Sequence, residues 1–345
     1  MQQNGKRIVW VDNLKFFSIV LVMIFHTTFG ASKLAPQLVI DFFAPFFLPA
    51  FFFASGFVYN ASKFRKNGFA SFVKNKAFVL LMPWLLWGII RYGYYDIVCA
   101  KFNLALFIND VLRNFIQVRD TIGQMWFVFA LFVAFVPFYF IINFVESKEI
   151  SHKGIILVLM SIVLAFCYYI YYMCVPSSIF PWNNNYLPWH LDYIPFALCF
   201  MILGYASHYY HILNLENNLY GIVIFVIYTL LVYFVKPSST VFIMLSSVLK
   251  HYLGVYVIAW LSNKLPYMRW TSFIGQNTLV FFGFHPIALS LLNFVLLRIV
   301  SPEWVYSSNI RQLLVSTGHI FVLTLIHIPL IYIINRYFRF LAGKK

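Results

Sequence analysis

Apolar residues run along this chain in long stretches, separated by short polar connections. A hydrocarbon core about 30 Å thick needs a helix of roughly twenty apolar residues. Read with that window, the sequence predicts ten spans, near 14–32, 39–59, 78–98, 126–145, 154–174, 190–210, 219–236, 240–262, 273–297 and 313–335. The expected fold is all-α, a polytopic integral membrane protein whose single domain covers residues 1–345. Two connections are longer, 99–125 and 175–189.

Lys and Arg orient such a bundle, because basic loops stay on the cytoplasmic side. The 60–77 loop carries Lys63, Arg65, Lys66, Lys74 and Lys76 without an acid, and is expected in the cytoplasm. The N-terminus, two crossings away, and the C-terminus then lie there as well. Sixteen basic residues fall on the predicted inner side and seven on the outer, with Arg91 and Lys250 inside spans. Lys6 and Arg7 before the first span, and Gly30, Ala31 and Ser32 after it, superficially resemble a signal peptide. Asp12, Lys15 and His26 interrupt that segment, which is therefore expected to remain as a span.

Composition agrees. The 345 residues are 62% hydrophobic and 10% charged, against about 45–50% and roughly 25% in soluble domains. The mean hydropathy is +0.81. A formal net charge of +15 would suggest nucleic acid for a soluble protein. Here it fits basic loops facing anionic lipid, so the bilayer is the expected partner and nucleic acid is not. Cys99, Cys167, Cys174 and Cys199 form no CxxC pair; neither a disulfide framework nor a metal site is implied.

Ionisable residues inside spans are costly and so mark candidate chemistry. The first span holds Asp12, Lys15 and His26. Eleven helical residues complete three turns to within about 20°, so Lys15 and His26 share one face about 16 Å apart, and Asp12 sits one turn before Lys15. Alone, Lys15 also reads as a snorkelling charge and His26 as a structural histidine. Together they suggest the lining of a polar passage. Weaker candidates are His285, next to Pro286, with His327, His190, Asp192 and the Lys250-His251 pair. Arg91 has Asp96 as its nearest acid. Histidines beside proline often satisfy a carbonyl the proline frees, which is the plainer reading of His285. The Asn, Trp and Tyr of 175–189 suit sugar contact, or an aromatic belt with turn residues. Walker A, HExxH and GxSxG patterns are absent from the sequence, and intramembrane carboxylates are few. The residues alone leave two readings open, a transferase and a transporter or flippase for a lipid-linked sugar.

Five segments, in order, carry a resemblance. They are Arg7 to Lys15 followed by His26, Phe51-Phe52-Phe53-Ala54-Ser55-Gly56-Phe57, Leu80-Leu81-Met82-Pro83-Trp84, Met125-Trp126-Phe127, and Phe273 to Leu279 followed by His285. The chain resembles the acyltransferase family 3 membrane proteins along its whole length, and most of all sugar O-acetyltransferases of the fucose 4-O-acetylase type. The resemblance implies acetyl or another short acyl group moving from cytoplasmic acyl-CoA (acetyl-CoA as donor, no metal) to a sugar hydroxyl of a glycan at the plasma membrane. By the same resemblance His26, Lys15 and Asp12 are the catalytic group. Lys15, Lys74, Lys76 and Ser55 would meet the CoA donor, and Trp126 and His285 the acceptor, joined by His190 and Asp192 from their place at the outer start of the sixth span. Two positions depart from the family pattern. Val79 stands where a second basic residue often precedes the third helix, and no acid follows shortly after Trp126 in the fourth.

Overall fold

The computed structural model describes residues 8–29, 32–94, 103–105, 108, 109, 112, 125–176 and 186–345. Arg7, Cys99, Asp96, Gly123-Gln124 and most of the 175–189 connection lie outside them. Among the described residues the chain is almost wholly helical. A short antiparallel hairpin, β1 (Thr28–Phe29) with β2 (Ser32–Lys33), forms the only sheet among the described residues.

The helices are α1 (Val9–His26), α2 (Gln37–Phe43), α3 (Phe47–Phe57), α4 (Ala61–Lys76), α5 (Met82–Gly93), α6 (Trp126–Ser147) and α7 (Lys153–Cys174). There follow α8 (Ile194–Tyr209), α9 (Asn218–Phe234), α10 (Thr240–Lys264), α11 (Arg269–Gly275), α12 (Thr278–Leu296), α13 (Pro302–Tyr306) and α14 (Asn309–Tyr337). Nine helical stretches among the described residues are long and apolar enough to cross a membrane. The remaining expected span, 219–236, is α9, whose 17 residues extend about 25 Å.

One expectation is corrected. Residues 60–77 are helical, forming α4 and running through a π turn (Ala77–Leu81) into α5. The Asn60 side chain caps α4 by accepting from the Lys63 backbone N–H at 2.9 Å. Gly68 then breaks the helix with φ of +78°. Basic side chains cover its exposed face while Phe72 is buried, so high charge coexists with an amphipathic helix.

Centrally placed, α8 is buried continuously from Phe196 to Ser207. It crosses α3 through a glycine on each helix. A Cβ on Gly56 would lie 1.9 Å from the Met201 carbonyl oxygen, and one on Gly204 would lie 2.1 Å from that of Phe53. Only hydrogen side chains permit backbones this close, as in other membrane helix pairs. Beside them, Glu146 of α6 accepts from the Tyr205 and Tyr210 hydroxyls at 3.0 and 2.6 Å and pairs with Lys153 at 3.6 Å. Burial and this carboxylate push the Tyr210 phenol above its ordinary range.

Gly204→Ala should therefore lower the melting temperature of the detergent-solubilised protein, since overpacking a filled site costs about 1–3 kcal/mol. Gly318→Ala, where nothing lies within 4 Å of the new Cβ, should be neutral or slightly stabilising. Equal melting temperatures for the two variants would show that the crossing tolerates separation.

Candidate active site

The site is built on α1, which is unbroken from Val9 to His26. Lys15 and His26 thus stand on one face of a single rigid helix, about 16 Å apart. The helix ends at Thr27, which turns extended (φ −65°, ψ 123°). Thr27 Oγ1 lies 2.9 and 2.8 Å from the Met23 and Ile24 carbonyls. Lys33, returning on the hairpin, donates from Nζ to the Phe25 carbonyl at 2.6 Å. These bonds satisfy the orphan carbonyls of a helix end and fix His26 as its last residue, half-buried. Lys33 and Arg91 are its charged neighbours. The His285 ring faces it at a centroid distance of 5.4 Å, tilted by 36°.

His285 is held by a polar lacing between the antiparallel helices α12 and α14. Asn335 Nδ2 donates to Asn277 Oδ1 at 3.0 Å. Eight residues along each helix, about 12 Å, come His285 and His327, neighbours across the pair. Eight more bring Asn293 and His319, whose Oδ1 and Nε2 lie 3.2 Å apart. The residue numbers of the three pairs add to one total, so a single register runs the length of the interface. Each helix also carries a proline at the histidine layer, Pro286 and Pro329. Pro286 has no N–H for the Phe282 carbonyl, which lies against the His285 ring instead.

Both histidines of the middle layer are buried and bonded through Nδ1. His285 donates to the Phe281 carbonyl at 2.7 Å and His327 to the Leu323 carbonyl at 2.6 Å. A carbonyl only accepts, so Nδ1 carries the proton on each ring and Nε2 presents a lone pair. His327 also stacks flat on Phe281 at 4.3 Å and meets Phe284 edge-on at 5.4 Å.

Basic side chains gather at the other end of α1. Lys76 Nζ sits 3.7 Å from the Phe135 ring centroid, with Phe64 and Phe72 at 5.5 and 5.9 Å, and the Lys15 charge acts on it. Three aromatic faces hold this amine in place. Asp12 is buried, and a Cβ on Gly275 would lie 2.2 Å from its carbonyl oxygen, so α11 packs directly on the first turn of α1. Lys344 donates to Asn277 and Asn335 at 2.6 and 2.8 Å, anchoring the chain end beneath α12 and α14. Lys74 is exposed on α4. Ser55 donates to the Phe51 carbonyl of its own helix at 2.8 Å.

Trp126, His190 and Asp192 come together elsewhere. A 3-10 turn (Pro188–Tyr193) brings His190 to 5.3 Å from the Trp126 ring, with φ of +57° at His190. Asp192 accepts from the Tyr172 hydroxyl, and from the Leu187 N–H at 2.9 Å. Phe127 stacks on Phe282 at 5.5 Å and so joins this group to α12. His251, also noted in the sequence, is bonded to the Ser247 carbonyl and lies 3.1 Å from the Tyr169 hydroxyl, as a structural residue would be.

A cavity of about 850 Å³ lies against a different face of α1, lined by Phe16, Val20, Ile24, Trp270 and Phe321. Its lining is mostly apolar, with Arg269, Ser316, Thr317 and Thr324 as its polar members, and it does not include the histidines. No group of three His, Cys, Asp or Glu able to hold a metal occurs among the described residues.

Sequence reasoning underrated three residues. His327 carried its signal in its pairing with His285 at the same register as Asn277 with Asn335. Lys33 and Arg91 gave none, since their approach to His26 depends on the hairpin and on the packing of α5.

The arrangement joins neighbouring imidazoles, suited to proton transfer, to a cationic end suited to an anionic group. No curated protein and no solved structure matches the chain. Residues 8–336 match the family described as an acyltransferase domain, and the protein belongs to acyltransferase family 3, as a membrane acyltransferase.

Proposed function

We propose that the protein takes an acyl group, acetyl in the first instance, from cytoplasmic acyl-CoA and places it on a sugar hydroxyl of a cell-surface glycan or its lipid-linked precursor. One observation carries this reading. A single face of α1 bears the Lys15 amine at one end, with the Lys76 amine of α4 within its electrostatic reach, and an imidazole beside a second imidazole at the other, His26 with His285. In this orientation both termini are cytoplasmic, the membrane is the plasma membrane, and the basic end takes the anionic part of the donor. Lys15, Lys74 and Lys76 would meet the CoA phosphates, with Asp12 orienting Lys15. The pantetheine arm would extend along α1 toward His26.

At the imidazole end the acceptor hydroxyl attacks the thioester carbonyl. Its O–H proton passes to an imidazole as the C–O bond forms. The C–S bond breaks, and CoA leaves as a thiolate that takes up a proton. His26 acts as base on the hydroxyl or holds it for attack. The aromatic group of Trp126 and His190, with Asp192, is suited to an acceptor sugar through stacking and hydrogen bonds.

The test is label transfer from radiolabelled acetyl-CoA to endogenous glycan, in membranes with wild type or His26→Ala. Label appearing only with wild type is expected, with at least about a 100-fold loss in the variant. Normal labelling by His26→Ala would sink the assignment. Lys15→Arg should retain more activity than Lys15→Ala and raise the KM for acetyl-CoA less. A Lys15→Ala enzyme with wild-type kinetics would remove the charge from donor binding.

A further inference from the structure

We infer that His285 is the group that receives the hydroxyl proton, with His26 holding the hydroxyl between the two rings; this rests on the acyl-transfer reading above. The tautomer decides it. His285 Nδ1 is committed as a donor to the Phe281 carbonyl at 2.7 Å, so Nε2 is a bare acceptor. That nitrogen is buried and has no hydrogen-bond partner, and the residue is 1% exposed. The neighbouring ring is His26 at 5.4 Å, and no hydrogen bond joins the two.

The two histidines of α14 differ from it. His319 uses both nitrogens, Nδ1 to the Val315 carbonyl and Nε2 to Asn293. His327 also has a bare Nε2, but its ring is stacked flat on Phe281 and belongs to the next helix. Among the described residues, His285 alone combines a buried bare acceptor with direct ring contact to His26. A donor supplied from outside the chain completes it, and the acceptor hydroxyl is such a donor.

The step balances. The hydroxyl O–H bond breaks toward His285 Nε2 while its oxygen bonds to the thioester carbon. The C–S electrons leave with the CoA thiolate, and the imidazolium later gives up its proton, so that CoA departs as the thiol. As His285 becomes imidazolium, its Nδ1–H bond to the Phe281 carbonyl becomes charge-assisted and strengthens. The same carbonyl therefore fixes the tautomer before the reaction and steadies the charge during it.

His285→Asn separates this role from a structural one. Its amide N–H can reproduce the donation to Phe281, but nothing remains at the Nε2 position. In membranes given radiolabelled acetyl-CoA, the variant should insert and melt like wild type, keep KM for acetyl-CoA within about three-fold, and lose at least about 100-fold in kcat. His285→Gln places an amide near the Nε2 position that can hydrogen-bond but cannot take the proton. It should lose kcat to the same extent, and it decides the matter should the Asn variant fail to fold. Either folded variant retaining kcat within ten-fold of wild type would overturn the inference. A wild type that transfers no label to any glycan would instead fail the acyl-transfer reading, and this inference with it.

Discussion

Hydrocarbon offers polar groups nothing, so each one carried into it must find its partner within the protein. That constraint shapes the interface of α12 and α14. The helices are apolar over most of their surfaces, yet they meet through Asn277 with Asn335, His285 with His327, and Asn293 with His319. The outer two layers are satisfied by direct bonds. In the middle one each ring donates to its own helix and leaves an acceptor unmet. An unmet buried acceptor costs about 1–3 kcal/mol, and two of them in one layer beside His26 set this layer apart from the outer two.

Other parts of the bundle hold that layer in place. The close crossing of α3 and α8 through Gly56 and Gly204 forms a rigid centre. α1 is fastened at both ends. At its start Asn13 donates to the Ser262 and Leu265 carbonyls at 3.3 Å and accepts from Thr271 at 2.8 Å, while Gly275 lets α11 lie on Asp12. At its finish Thr27 and Lys33 close the last turn. The distance between Lys15 and His26 is thereby set by helical rise, and no loop intervenes to change it.

Much of this was legible in the sequence because membrane helices write their length in apolar residues. The spans, the shared face of Lys15 and His26, and the anomaly of His285 all follow from local periodicity. The 60–77 segment misled because charge was read as connection, whereas Asn60 capping and a buried Phe72 make an amphipathic helix of it. His327 ranks only as a weaker candidate in the sequence, since a single histidine in a span gives no hint of which helix it faces. The approach of Lys33 and Arg91 to His26 depends on tertiary packing, which has no local signature. The grouping of Trp126 with His190 and Asp192 required a 3-10 turn with positive φ at Trp189 and His190, and neither residue type announces that conformation.

The common register of α12 and α14 also governs how the chain can change in length. A residue inserted within either helix rotates everything beyond it by about 100°, which would carry one partner of each later pair off the interface. Insertions and deletions are therefore confined to the connection between the helices, residues 297–308. Even there α13 is tethered, since the Tyr306 hydroxyl donates to the Phe29 carbonyl at 2.7 Å. Gain or loss of residues in the last two spans would therefore have to occur in both at once.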